Sequence, residues 1–337
     1  MWRCLCMSIA PQLEYYPDSR PGITRKRHGK GFTYIAPDGT RIDNRSERER
    51  LSGLGVPPAW EDVWMCPLDK GHLQATGRDV KARKQYRYHP DWSSFRSERK
   101  FAHLVRFGEK LPGLRRRILR DLRNAEAGDH EFAIAAVLAL IDRASLRVGT
   151  SDYARDNKTF GATTLRSRHV SLGKGALELN YRGKGGAKVH KSLRDQTLNR
   201  VLSRLDDLPG PELMSWIDDN DNIRTVTSGE VNDFLTTYLD DGALTAKTFR
   251  TWNGSVEALS VALNSEAPTI KAMSEAAAER LSNTPAIARS SYIHPAVIAL
   301  SESDAKYRAE LRKAAEDQDG LRRAEAELLH LLRAEAS

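Results

Sequence analysis

The sequence predicts an α+β fold in two parts. A small, mainly antiparallel β domain comes first, and a larger, mainly α domain containing a three-stranded β meander follows. Three observations predict it. Up to Trp92, short β-type runs alternate with Gly, Pro and Asp turns. From Glu131 to Leu146 the chain is apolar on nearly all sides, the composition of a buried core helix. From Thr163 to Leu193 the period drops to two before helical patterns resume. A chain of 337 residues is also long for one core, which again favours two domains. The divisions expected are 1–19 as an N-terminus without clear structure, 20–93 as the β domain, 94–300 as the α domain and 301–337 as a charged helical tail.

Composition narrows the partner. Fifty-three Lys/Arg against 45 Asp/Glu leave a formal charge of +8, an excess that suits a polyanion such as nucleic acid. Cys4, Cys6 and Cys66 have no metal-ligand spacing and make no disulfide scaffold, so a reducing cytoplasm is the expected setting. No apolar run reaches the ~18 residues of a membrane span. Met1 to Ala10 has one basic residue and no Ala-x-Ala site, so it is not read as a signal peptide.

In chain order, nine bases crowd residues 18–50. Gly31 to Ile35 alternates like a strand, and Pro37-Asp-Gly39 turns it into a hairpin with Thr40 to Ile42. A short helix is expected over Arg45–Leu54, then strands near Trp60–Trp64, Gly71–Gly77 and Lys84–His89. In the last of these, Lys84, Tyr86 and Tyr88 share one face, and Gln85 and Arg87 the other. With Arg83 beside it, the strand suits a DNA groove; a solvated edge guarded by Lys/Arg fits equally well. Helices are expected over Ser97–Phe107, ending at Gly108, and over Leu111–Leu122, and the core helix is expected to stop at Gly149. That delivers Arg147 from the interior at a helix end, where it needs either a carboxylate or a phosphate.

The meander strands are Arg168–Leu172, Ala176–Tyr181 and Lys188–Leu193, with turns at Gly173-Lys-Gly175 and Gly183-Lys-Gly-Gly186. Lys184 sits in the second turn, as a mobile cation against a ligand or as an exposed hairpin tip. Helices follow over Gln196–Leu205, Ser228–Leu239, Lys247–Asn264 and Thr269–Arg280. Lys247 and Arg250, three apart, share a helix face. Thr284 caps and Pro285 opens a brief helix ending near Tyr292, where the phenol can be presented to a partner. Asn283 is either a donor or merely a cap for that helix. The Leu-bearing tail reads as a surface helix or an oligomer contact.

Five blocks in this order resemble the type IB DNA topoisomerases, in the small poxvirus-like branch found in bacteria. They are Gly71-His-Leu-Gln-Ala-Thr-Gly with Arg83-Lys-Gln-Tyr-Arg-Tyr88, Leu146-Arg-Val-Gly149, Arg182-Gly-Lys184, Lys247-Thr-Phe-Arg250, and Asn283-Thr-Pro with Ser291-Tyr292. The resemblance covers about residues 20–300, most of the chain. It implies a catalytic domain of the tyrosine recombinase/topoisomerase IB type and a monomeric C-shaped clamp on double-stranded DNA.

Tyr292 would attack a backbone phosphorus to give a 3′-phosphotyrosine and a 5′-hydroxyl. Arg147 and Arg250 would hold the non-bridging oxygens. Lys184 would protonate the leaving oxygen, and Asn283 would donate a hydrogen bond. Arg83, Lys84, Gln85, Tyr86, Tyr88 and Lys247 would contact DNA. No metal, nucleotide or other cofactor is called for, and the protein would be cytoplasmic at the nucleoid. Many relatives have His where this chain has Asn283, although bacterial members often resemble it. Two rivals stand beside this reading. A tyrosine recombinase usually has His in the place of Lys247 and begins with a helical domain. A non-enzymatic basic DNA-binding protein would have no need of Tyr292.

Overall fold

The computed structural model describes residues 12–29, 31–173 and 176–336, with the backbone alone for 96–100. The Met1–Ala10 stretch, Cys4 and Cys6 therefore lie outside the described residues, as does most of the Gly173-Lys-Gly175 turn. The chain forms two compact units, one running through Lys100 and the other starting at Phe101.

The first unit is a five-stranded antiparallel sheet in the order β2-β1-β3-β4-β5. Its strands are β1 (Ile23–His28), β2 (Gly31–Ile35), β3 (Glu61–Met65), β4 (Leu73–Arg78) and β5 (Lys84–Tyr88), and α1 (Arg45–Gly53) lies between β2 and β3 in sequence. Asn44 caps α1 by accepting from Glu47 N–H. Ile23, Tyr34, Leu51, Val63, Met65 and Ala75 form the core.

Two expectations are corrected. The main partner of β2 is β1, read from the sequence only as a basic, turn-rich stretch. The Thr40–Ile42 return makes just one bridge, Ile35 to Arg41. The reason lies in β1 itself: Ile23 is its one buried side chain, and the bases after it hide the strand pattern. Residues 12–20 are also structured. Glu14 exchanges backbone hydrogen bonds with Lys70 and His72 at 2.9 Å, and the Tyr15 ring stacks on His72 at 4.6 Å.

The second unit is mainly helical. After α2 (Pro90–Ala102) come α3 (Leu104–Asn124), α4 (His130–Ala144) and α5 (Ser151–Asn157). The meander is β6 (Val170–Leu172), β7 (Leu177–Arg182) and β8 (Lys188–Leu193), all antiparallel. Then follow α6 (Gln196–Asp206), a small hairpin of β9 (Ser215–Ile217) and β10 (Ile223–Thr225), α7 (Ser228–Leu239), α8 (Ala246–Asn264), α9 (Ile270–Leu281), α10 (Pro285–Tyr292), α11 (Pro295–Ala299), α12 (Ala305–Ala314) and α13 (Arg323–Ala336).

The α4 stretch is the buried core helix that its composition predicts, with Phe132 through Ala144 buried except Arg143. Gly108 does not end a helix. It lies inside α3, where a Cβ would fall 2.4 Å from the Trp252 ring, so glycine is there to admit Trp252. Pro112 also sits within α3; its missing N–H costs one helical hydrogen bond, and its buried helix face offsets that cost. The tail is neither a surface helix nor an oligomer contact, because Leu328, Leu329, Leu331 and Leu332 of α13 are buried in the main core. Buried Glu325 joins it to the rest, pairing with Arg115 at 2.8 Å and Arg322 at 2.6 Å, while Arg115 also pairs with Asp142 at 2.9 Å.

Candidate active site

Arg147, Lys184, Arg250, Asn283 and Tyr292 all belong to the second unit. Arg147 comes from the loop after α4. That helix stops at Ala144, five residues before the glycine expected to stop it, because Ser145 takes a left-handed φ of 55°. Gly149 has another task. With φ of 90° it packs on Gly161, where a Cβ would lie 2.6 Å from the Arg147 carbonyl oxygen. The Ala162 and Thr163 N–H groups donate to the Arg147 and Val148 carbonyls, both at 2.8 Å. The Phe160 N–H donates to the Arg182 carbonyl at 2.7 Å, tying the same loop to the end of β7. No carboxylate pairs with Arg147 among the described residues. Instead its Nη2 donates to Asn283 Oδ1 at 2.5 Å.

Arg250 is only 3% exposed. Its Nη1 donates to the Ser145 carbonyl and its Nη2 to the Leu281 carbonyl, the latter at 2.9 Å. Burial, helped by the neighbouring charge of Arg147, holds its pKa below the usual guanidinium value. The guanidinium carbon lies 5.1 Å from the centre of the Tyr292 ring, a cation–π distance.

Tyr292 is buried, not presented on the surface as its place after a short helix suggested. Two residues of α8 fix it. A Cβ on Gly254 would meet the Tyr292 carbonyl oxygen at 2.9 Å, so glycine lets α10 come close. Ser255 Oγ donates to that carbonyl at 3.3 Å and accepts from the His294 N–H at 3.0 Å. Burial alone would raise the phenol's pKa; Arg250, then Arg147 and Lys247, outweigh it and leave it lowered.

Asn283 is not the helix cap. Thr284 fills that place, accepting from the Ile287 N–H, and Pro285 is the first helical residue. With Asn283 Oδ1 taken by Arg147, its Nδ2 is buried and has no acceptor among the described residues. Lys184 is exposed in the tip between β7 and β8, followed by Gly185 and Gly186 at φ of 77° and 80°. Lys247 is exposed in the first turn of α8.

One hollow collects the two arginines and Lys184, while Tyr292, Asn283 and Lys247 do not line it. Arg147, Lys184, Lys191 and Arg250 line it, with Tyr181 and Phe160, and no carboxylate lines it among the described residues. Burial pushes the Tyr181 phenol up to about 12, against the pull of Arg250 and Arg147. Lys191 was not singled out from the sequence. The signal was there: Val189, Lys191 and Leu193 alternate with exposed His190 and Ser192, which puts Lys191 on the inward face of β8. A second hollow shares Phe160, Tyr181 and Val189 with the first and is lined by Lys158, Arg168, Arg182 and Lys188.

The candidate DNA-contacting residues Arg83, Lys84, Gln85, Tyr86 and Tyr88 lie in or beside β5, an edge strand of the first unit. Asp79 holds Arg83 at 2.6 Å and Gln85 at 3.0 Å, chiefly through Arg83 has its pKa lowered to about 2, and Asp18 holds Lys84 at 2.5 Å. Tyr86 and Tyr88 stack on one another at 6.1 Å and stay 48% and 43% exposed.

The family model described as eukaryotic DNA topoisomerase I, catalytic core, matches residues 89–317. The one described as bacterial DNA topoisomerase IB, N-terminal domain, matches residues 31–79. DNA topoisomerase 1B of Acanthamoeba polyphaga mimivirus is 29% identical over 301 residues, covering 85% of this chain and 89% of the relative. DNA topoisomerase 1B of vaccinia virus (strain Copenhagen) is 24% identical over 180 residues, covering 50% of this chain and 55% of the relative. DNA topoisomerase 1 of Mycosarcoma maydis is 24% identical over 288 residues, covering 76% of this chain but 27% of the relative. With the catalytic-core match spanning well over half of its 337 residues, the chain belongs to the type IB DNA topoisomerase family, in the poxvirus-like branch of these isomerases.

Proposed function

We propose that this protein relaxes supercoiled duplex DNA by cutting and resealing one strand through a 3′-phosphotyrosine. The observation that carries the reading is the hollow with four cations and no carboxylate, beside a buried tyrosine of lowered pKa. Clustered cations need a counter-ion, and a DNA phosphate supplies it.

In this scheme Tyr292 gives its phenolic proton to solvent and its oxygen attacks phosphorus as the bond to the 5′-oxygen breaks. One phosphodiester replaces another, so the bond energy is kept for resealing. Arg147 and Arg250 hold the non-bridging oxygens, where charge grows in the transition state. Asn283 Nδ2 donates to one of them. Lys184 gives its proton to the leaving 5′-oxygen and takes one back when that oxygen returns as the attacking group. The freed end rotates between the two steps. The cations supply the charge stabilisation, so the scheme asks for neither metal nor nucleotide. The protein acts as a single-chain clamp, with Tyr86, Tyr88 and Lys247 on DNA, at the nucleoid.

The test is supercoiled plasmid incubated in EDTA without ATP. The wild type should relax supercoils of both signs. Tyr292→Phe should bind DNA and relax nothing. Relaxation that survives in Tyr292→Phe rules the scheme out.

A further inference from the structure

The last turn of α9 offers carbonyl groups that have no partner within the helix and carry the negative end of its dipole. Three successive carbonyls there are taken by two cations of the hollow. Lys191 Nζ donates to Glu279 at 3.1 Å and to Arg280 at 2.6 Å, and Arg250 takes Leu281 at 2.9 Å. Next in sequence come Ser282, at a left-handed φ of 48°, and Asn283, which holds Arg147. This one turn therefore touches the supports of both arginines. Lys191 belongs to β8, whose start at Lys188 pairs with Arg182 across the hairpin that carries Lys184 at its tip. Its ammonium is the hairpin's anchor on α9.

We propose that Lys191 is a positioning residue for the leaving-group step: by fastening the β7–β8 hairpin to the last turn of α9, it holds Lys184 over the phosphate that Arg147 and Arg250 bind. The inference rests on the reading of Lys184 as the general acid. Three features support it. Lys184 is exposed on a tip with two positive-φ glycines, so its aim has to come from the strands behind it. The Lys191 donors go to backbone carbonyls, which makes the contact one of placement. Burial, with the charges of Arg280 and Arg250 close by, lowers the Lys191 ammonium to about 8, as expected of a group held in the interior. Without the anchor, Lys184 remains an acid but is aimed at the 5′-oxygen for less of the time.

The experiment compares two suicide duplexes in single-turnover cleavage, one with the natural 5′-bridging oxygen and one with sulfur there. A thiolate leaves without a proton, so only the oxygen substrate needs the acid. The ratio of sulfur to oxygen rates, taken within one preparation, is independent of the fraction folded. Lys184→Ala should slow the oxygen substrate by roughly 10²–10⁴-fold and raise that ratio by a similar factor. Lys191→Met should raise the ratio at least tenfold, and the double variant should be little slower than Lys184→Ala. Lys191→Arg, which keeps donors for both carbonyls but is too weak an acid to give up its proton, should stay within a few-fold of wild type.

An unchanged ratio in Lys191→Met, with Lys184→Ala rescued, overturns the positioning role and leaves the general acid standing. A Lys191→Arg variant as slow and as well rescued as Lys191→Met overturns it differently, because Lys191 would then supply a proton. Failure of sulfur to rescue Lys184→Ala overturns both readings.

Discussion

Asn283 offers a test that separates holding an arginine from stabilising a transition state. Its Oδ1 accepts from Arg147 Nη2 at 2.5 Å, and its buried Nδ2 has no acceptor among the described residues. Asn283→Asp keeps the acceptor, strengthens it with a full charge, and replaces the N–H donor with oxygen. If Asn283 only tethers Arg147, the Asp variant, which keeps the tether, should cleave faster than Asn283→Ala. If the Nδ2 donor reaches a phosphoryl oxygen, two losses add. Removing one preorganised donor costs about 10²–10³ in rate. A carboxylate ~4 Å from a phosphate charge adds about 4 kcal/mol of repulsion at an effective dielectric of ~20, roughly another 10³. Asn283→Ala removes tether and donor without adding charge, so it should be slow but faster than Asp. Asn283→His should be the best of the three, since one ring nitrogen can accept from Arg147 while the other donates. It should also gain a pH dependence near ~6.5, which wild type lacks at this position. Thr284 caps α10, so none of these changes removes the cap. Single-turnover cleavage at matched folded fraction gives the order. An Asp variant close to wild type refutes the donor, and an Ala variant close to wild type refutes donor and tether together.

Arg168→Ala with Lys188→Ala, on the second hollow, should reduce the slope of log affinity for duplex DNA against log salt by about 2, at ~0.9 per phosphate contact; an unchanged slope would take that hollow off the DNA path. Tyr86→Ala with Tyr88→Ala should flatten cleavage-site preference on a long duplex more than Gln85→Ala does, because the Gln85 amide is already spent on Asp79; equal patterns for all variants would make β5 a plain solvated edge. Glu325 is fully buried, and although burial alone would raise its pKa, its bonds to Arg115 and Arg322 bring it to about 2 from an ordinary 4.5. A depressed carboxylate stabilises the fold above the unfolded value and loses that contribution as pH falls from about 4.5 towards 2, on the order of 3 kcal/mol in all. The gap in Tm between wild type and Glu325→Gln should therefore be widest near neutrality and narrow as pH falls below about 4.5; a gap that is flat over that range contradicts the linkage.

What could be read from the sequence was local. The α4 helix, the meander and the helices from α6 to α9 follow from periodicity, and the family from five short blocks. Misreadings arose where a residue answers to a distant partner. Gly108 carries a helix-stop signature, but Trp252, far along the chain, decides its use. Gly149 likewise serves contact with Gly161. The β9–β10 hairpin is two three-residue strands, too short for any period to declare itself. The tail's charge suggested the surface, yet its glutamate is consumed inside by Arg115 and Arg322. In the site, the cationic residue types were legible. Their supports were not, because carbonyls of Ser145, Glu279, Arg280 and Leu281 carry no sequence signature.

Those supports bear on how such a site can exist before DNA arrives. Four cations around one hollow repel one another, and burial further penalises Arg250 and Lys191. The fold compensates with neutral dipoles: carbonyls for Arg250 and Lys191, an amide oxygen for Arg147. A carboxylate would neutralise the cluster more fully, but it would occupy the position a phosphate has to take. Dipoles hold the arginines in place and leave their net charge unspent. The same unspent charge lowers the Tyr292 phenol against the effect of its burial. Replacing any of these carbonyl or amide partners with a carboxylate would therefore steady the cluster and, at the same stroke, take from the tyrosine the field that activates it.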